Sequence, residues 1–340
     1  MRRYEIREPQ GIASLRCVEV EAQRPGPGQV LIDMKAWSLN YRDLAMPRGG
    51  YPGNDKVLRA PPLIPVSDGA GEVLAVGAGV KDFAPGDRVL ASFFQGWIDG
   101  ELDAEARATA LGGAIDGLLA EQMVLDATGI VPAPPSLSFE QAATLPCAGL
   151  TAWAALTAAR THPGQNVLLL GTGGVSILGL QLAKAMGQRV IITSSSGQKL
   201  ERARRLGADE VINYVEHPDW DERARELTGG VGVDHVLEVG GAGTLERSLR
   251  ATRIGGTVSL IGVLTGQPAQ NPSPLEVMWR RITLRGIYIG SRRMLEELCR
   301  AVEVNRIVPV VDRVFGFDAA QDAYRYLKSG QHFGKVVITR

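Results

Sequence analysis

The stretch Asn166-Val-Leu-Leu-Leu-Gly-Thr-Gly-Gly-Val-Ser-Ile-Leu-Gly-Leu-Gln-Leu-Ala-Lys-Ala-Met-Gly187 decides the fold. Val167 to Leu170 form a continuous apolar run, as expected of a parallel strand covered on both faces. Gly171, Gly173 and Gly174 follow at once. Lacking Cβ atoms, they allow a tight turn in which backbone amides and the positive end of the next helix can approach a pyrophosphate. Val175, Leu178, Leu182 and Met186 recur at helical spacing, and Gly187 is placed to end the helix. The sixth position of the Gly-x-Gly-x-x-Gly fingerprint is Ser176, so the neighbours must carry the argument. Arg189 to Thr193 reads as a second buried strand, Gln198 to Leu206 as a helix and Glu210 to Asn213 as a third strand, which completes a βαβαβ half. The alternatives are a glycine-rich turn without a ligand, and a membrane span over Val167 to Ala183. Clustered Gly and Thr and a marginal length argue against the span.

The 340 residues are enough for two domains, and 37 Lys and Arg balance 37 Asp and Glu. A chain with no net charge has no basic field to attract nucleic acid or an anionic membrane, so a small-molecule substrate is expected. The N-terminal Met1-Arg-Arg-Tyr-Glu-Ile-Arg-Glu has no apolar core of signal-peptide length, and Cys17, Cys147 and Cys299 are few and far apart. Both features point to the cytoplasm.

Ahead of the glycine turn the pattern is alternating. Gln29 to Ala36 and Gly71 to Gly77 read as strands between Pro/Gly turns, while 100–114 reads as a short helix or surface lobe. Pro132, Pro134 and Pro135 mark a linker, and Ser138 followed by Gln141 is a capping-box start. Beyond the turn, Val233 to Gly240, Gly256 to Val263 and Ile282 to Ile289 are further strands. Helices are expected over Arg292 to Glu303 and Ala319 to Lys328, and a last strand over Lys335 to Thr339. Ligands of open parallel sheets bind outside the carboxyl ends of the strands, so Gly240, Gly262 and Gly290 are expected to border a cofactor.

The chain resembles the medium-chain dehydrogenase/reductase superfamily. The residues that carry the resemblance are Ser38-Leu-Asn-Tyr-Arg-Asp-Leu44, Pro62-Leu-Ile-Pro-Val-Ser-Asp-Gly-Ala-Gly-Glu-Val73, Pro85-Gly-Asp-Arg-Val89, Thr144-Leu-Pro-Cys-Ala-Gly-Leu-Thr-Ala-Trp153, Gly171-Thr-Gly-Gly-Val175 and His332-Phe-Gly-Lys-Val-Val337. The implied fold class is α/β, a Rossmann-type doubly wound parallel sheet plus a GroES-like β-barrel domain. The expected division is 1–127 catalytic domain, 128–289 dinucleotide-binding domain and 290–340 a return to the catalytic domain, with a cleft where nicotinamide and substrate meet. The resemblance also implies a homodimer joined edge to edge, with Ile282 to Ile289 at the edge.

Alcohol dehydrogenases of this family hold a catalytic zinc through Cys, His or Glu, and Cys. Here Asn40 stands at the first Cys position and Ser67 at the His position, so that only Cys147 of the three remains. The region Phe93 to Leu125 has no Cys for a structural zinc. No metal is therefore expected, and the chain looks most like the quinone-oxidoreductase branch. Asn40 and Tyr41 are the candidates for donating to the oxygen that gains charge, with Asp43 fixing their loop and pairing with Arg42. The aromatic cluster Phe93, Phe94 and Trp97 is either a pocket for an apolar acceptor or a core patch.

The cofactor is expected to lie against Thr151, Gly171, Thr172, Gly173, Gly174 and Val175, and to be bordered by Gly240, Gly262, Val263, Gly290, Ser291 and Lys335. An NAD-specific site places an acidic residue about twenty residues after the glycines, to accept from the ribose hydroxyls. This chain has Thr193-Ser-Ser-Ser196 there, with Lys199 behind it and Tyr214 at a position that NADPH enzymes of the family use. Ser194, Ser195, Lys199 and Tyr214 thus point to NADP(H) over NAD(H). Three functions stay open: a zinc-independent NADPH-dependent reductase of carbonyls, enones or quinones; a zinc-dependent alcohol dehydrogenase with atypical ligands around Cys147; and a non-catalytic NADPH-binding protein.

Overall fold

The computed structural model describes residues 1–50, 59–265 and 274–340. The chain divides into two compact units, Met1–Leu150 together with Gly290–Arg340, and Thr151–Ile289.

In Thr151–Ile289, short runs rich in Val, Ile and Leu have no polar face to offer water, so they assemble into a sheet covered on both sides. Its six strands lie in the order Glu210–Asn213, Arg189–Ser194, Asn166–Leu169, Val233–Glu238, Thr252–Leu260 and Thr283–Gly286, each parallel to its neighbours. This is the expected Rossmann order, with chain direction across the sheet reversing between Asn166–Leu169 and Val233–Glu238. Val167, Leu168, Leu169, Val190, Ile191 and Ile192 are buried. The helix Gly174–Ala185 follows the first strand and ends as its sequence requires, with Gly187 in the left-handed region at φ +76°. The edge strand Thr283–Gly286 is exposed at every residue.

The other unit is built on the long strand Gln29–Leu39, the centre of a seven-stranded sheet. It pairs antiparallel with Asp68–Val76, with Gln122–Asp126 and with the chain's last strand, Lys335–Thr339. Ile32, Met34, Trp37 and Leu39 enter its core beside Phe317 and Tyr324. This is the GroES-like β domain. Of 100–114, only Ala104–Arg107 is helical, capped by Asp103. The Ser138–Gln141 capping box forms on both sides, with Ser138 Oγ accepting from the Gln141 amide at 3.3 Å and Gln141 Oε1 accepting from the Ser138 amide at 3.0 Å.

One strand starts earlier than its sequence suggests. Asp68-Gly-Ala-Gly71 is poor in strand-forming residues, yet it belongs to Asp68–Val76 and pairs through Asp68 with Ser38. The glycines are needed for this approach, since a Cβ on Gly71 would stand 2.5 Å from the Asp33 carbonyl oxygen.

His235 lies in the middle of the parallel sheet, fully buried, with Nε2 at 2.8 Å from Ser259 Oγ. Burial depresses its pKa to about 3, so the folded protein keeps the imidazole neutral. The unfolded chain takes up that proton below about pH 6.5. This contribution to stability is therefore complete above that pH and is lost as the pH falls towards 3. In urea unfolding of wild type and His235→Gln, the advantage of the wild type is expected to shrink by roughly 2 kcal/mol from pH 7 to pH 5. An advantage independent of pH would contradict a buried neutral imidazole.

Candidate active site

The turn after Asn166–Leu169 has the geometry of an anion cradle. Gly171 takes φ +72°, a conformation that disfavours residues with a Cβ, and Gly173 is the N-cap of Gly174–Ala185 without a capping side chain. The first turn holds no acidic residue, and a Cβ on Gly171 or Gly173 would meet nothing within 4 Å. The helix's leading amides thus have neither a capping side chain nor an acidic neighbour in the first turn, which fits a pyrophosphate. The Gly171 amide donates to Thr193 Oγ1 at 3.2 Å and fastens the turn to the next strand. Thr172 is buried and Val175 half-buried. Ser176, where the fingerprint has glycine, is buried and donates its hydroxyl to the Leu170 carbonyl at 2.6 Å. The close approach of helix to sheet occurs at Gly179, whose Cβ would meet Leu237 at 3.2 Å. Thr151 is buried in the helix Leu150–Ala158.

At the end of the second strand, Ser194 Oγ accepts from the Ser196 amide at 3.3 Å, and the Ser194 carbonyl accepts from the Tyr214 amide at 3.1 Å. Ser196 caps Gly197–Arg205 by accepting from the Lys199 amide. Ser194, Ser195, Lys199 and Tyr214 are therefore brought to one strand end, with Ser195 and the Tyr214 ring exposed.

Sequence reasoning missed Glu238. This fully buried carboxylate ends the strand Val233–Glu238 and accepts from the amides of Gly240 and Gly241, both at 2.8 Å, from Thr244 Oγ1 at 2.6 Å and from Ser248 Oγ. It shapes the loop that carries Gly240. Gly262 lies against that loop so closely that its Cβ would be 2.0 Å from the Val239 carbonyl oxygen, and Val263 beside it is exposed. Gly290 and Ser291 belong to the other unit, where the Ser291 hydroxyl accepts from the Met294 amide and caps Arg292–Val304.

In the β domain, the register that sets Val336 opposite Leu39 brings Lys335 beside Asn40. Lys335 is 3% exposed, and its Nζ donates to the Leu39 carbonyl at 2.6 Å and to Asn40 Oδ1 at 2.5 Å. Asp68, fully buried and also missed from sequence, accepts from Ser67 Oγ at 2.8 Å and from the Cys147 amide at 3.1 Å. Burial raises its pKa against the opposing charge of Lys335 and against donors from Asn40, Ser67 and the Cys147 amide. The Asn40 amide nitrogen stands close enough to steady the Asp68 charge, but it closes no hydrogen bond of good geometry. Burial also pushes the Cys147 thiol far above its ordinary pKa, with Asp68 adding to the shift.

Asn40 precedes the short 3₁₀ turn Tyr41–Leu44, whose Asp43 accepts from the Asn40 amide at 2.7 Å through Oδ2. Asp43 is fully buried, and burial lifts its pKa to about 6 against the nearby positive charge of Arg42. Arg42 itself turns away, donating to the Leu111 carbonyl at 2.7 Å and stacking over Phe93. Tyr41 is half-exposed. Phe93 and Phe94 are buried against each other, as a core patch, with Trp97 edge-on to Phe94. Among the described residues, no three His, Cys, Asp or Glu side chains are grouped to hold a metal ion.

Two family models match the chain, the alcohol dehydrogenase GroES-like domain over residues 26–135 and the zinc-binding dehydrogenase over residues 174–303. A zinc-type alcohol dehydrogenase-like protein of Schizosaccharomyces pombe is 44% identical over 97% of this chain and 96% of its own. A structure described as an NAD-dependent alcohol dehydrogenase is 35% identical, covers 100% of both chains and has a TM-score of 0.89. The Escherichia coli quinone oxidoreductase complexed with NADPH is 26% identical, again over 100% of both chains, with a TM-score of 0.84. By sequence along its length and by fold, the chain belongs to the medium-chain dehydrogenase/reductase superfamily of nicotinamide-dependent oxidoreductases, as a zinc-type alcohol dehydrogenase-like member.

Proposed function

We propose that the chain is a zinc-independent, NADPH-dependent oxidoreductase that transfers hydride to a carbonyl, an enone or a quinone. The observation that carries this reading is the donor set at the family's metal position: a neutral amide from Asn40, a hydroxyl from Ser67 and a thiol that burial keeps protonated at Cys147, with the Asp68 carboxylate already accepting from Ser67 and the Cys147 amide and the Lys335 ammonium bonded to Asn40. Zinc takes thiolate, imidazole and carboxylate ligands, and this set offers a poor substitute. The nicotinamide, when bound, supplies the hydride.

The chain's own residues bind and orient. The amides after Gly171 receive the pyrophosphate, with Thr172, Val175 and Thr151 nearby; Ser194, Ser195, Lys199 and Tyr214 receive the 2′-phosphate, which no carboxylate repels. Glu238 holds the Gly240 loop in shape. Asn40 Nδ2, buried beside Asp68 without closing a hydrogen bond of good geometry, donates to the acceptor oxygen as it gains charge, and the Tyr41 hydroxyl is the proton donor. Asp43 holds Asn40 by its amide. The names of relatives favour a second reading, a zinc-dependent alcohol dehydrogenase.

Purified protein assayed against aldehydes, enones and quinones is expected to oxidise NADPH at least about tenfold more efficiently than NADH. Ser194→Asp is expected to raise the KM for NADPH roughly 30-fold and to leave NADH nearly unchanged, the size of one lost charge-assisted contact. A wild-type preference for NADH would remove the cofactor assignment, and nucleotide binding without turnover would favour a non-catalytic role. The edge strand Thr283–Gly286, flanked by exposed Met278 and Trp279, is where we place a second copy in a homodimer. Light scattering should give twice the chain mass, and a single-chain mass would rule the dimer out.

A further inference from the structure

The ammonium of Lys335 is an unusual thing to bury. It comes from the chain's last strand, 295 residues from Asn40, and reaches the loop only because the two strands pair. An ammonium has three donors and no acceptor, so it can hold Asn40 only by the amide oxygen. That fixes which way the amide points. Oδ1 is taken by the cation, and Nδ2 is left as a buried donor beside Asp68 that closes no hydrogen bond of good geometry among the described residues. The same ammonium fixes the backbone just before Asn40 through the Leu39 carbonyl, and its charge faces Asp68, Asp43 and Cys147. A cation bonded to the oxygen of an amide draws electron density from its nitrogen, making the N–H groups stronger donors.

We propose that Lys335 is a positioning residue for hydride transfer, a built-in cation that holds and polarises Asn40 so that its amide nitrogen, unaided by a metal ion, can stabilise the oxygen of the acceptor. This rests on the zinc-independent reading above and assigns Lys335 to the β-domain polar cluster rather than to the nucleotide, where the family resemblance had set it.

The test compares Lys335→Met, Asn40→Ala and the double variant of the full chain, with NADPH and cyclohex-2-enone as probes. Each single variant is expected to lose about 100-fold in kcat with the KM for NADPH within about threefold of wild type, and the double variant is expected to be no worse than the poorer single one. Nucleotide binding followed by NADPH fluorescence shows that each variant is folded. A Lys335→Met enzyme that keeps kcat and loses NADPH affinity would overturn the proposal, as would losses that multiply in the double variant. A second readout needs no turnover. In lysine-¹⁵Nζ-labelled protein, Lys335 is expected to give an ammonium signal protected from solvent exchange, which Asn40→Ala shifts and exposes. An ammonium that exchanges as fast as surface lysines, or that ignores Asn40, would contradict the contact itself. If the wild type turns over no acceptor, the hydride-transfer reading fails and Lys335 loses its proposed role with it, while the nitrogen signal still reports whether the Lys335–Asn40 contact exists.

Discussion

A parallel strand buried on both faces cannot turn back on itself, so every connection must cross over the sheet and every strand must deliver its chain to the same edge. That constraint organises the unit Thr151–Ile289. The first strand ends at the Gly171 turn, the second at Ser194 and the fourth at Glu238, so an open helix terminus, a row of hydroxyls and a loop shaped by a buried carboxylate share one rim of the sheet. None of these would form a ligand surface alone. The sheet brings them together because its core leaves them nowhere else to go.

The β domain follows a different logic. Its strands are antiparallel about Gln29–Leu39, and the polar groups at the end of that strand are buried together instead of being left at a rim. Burying Asp43, Asp68 and Lys335 is costly unless each charge finds partners. They find them in Ser67, the amides of Asn40 and Cys147, the Leu39 carbonyl and the Asn40 side chain. Asn40 Nδ2, Asp43 Oδ1 and Tyr324 Oη remain without hydrogen bonds.

The fold was legible because it depends on local periodicity. Apolar runs of strand length, glycines at fixed offsets and helical stripes each declare themselves within about ten residues, and the Rossmann strands and the capping box at Ser138 follow from them. Where the chain departs from its local signals, crowding explains it. Asp68-Gly-Ala-Gly71 has low strand propensity but is held in the sheet by close pairing with the long strand. Ser176 fills a glycine position because its hydroxyl finds the Leu170 carbonyl. The roles of Asp68, Glu238 and Lys335 could not be read from the sequence, since each depends on partners set by register or by a loop folding back. Phe93 and Phe94 were ambiguous for a related reason, as aromatic pairs look alike in sequence whether they line a pocket or fill a core.

Zinc independence is the proposed property of this relative of zinc-type enzymes on which the roles of its β-domain cluster rest. Its most direct test is native mass spectrometry of the freshly purified chain, with NADPH-dependent activity followed through treatment with 1,10-phenanthroline. One NADPH bound per chain, no metal in stoichiometric amount and activity unchanged by the chelator are expected. A chain carrying one zinc, inactive when stripped and active again when zinc is returned, would contradict it.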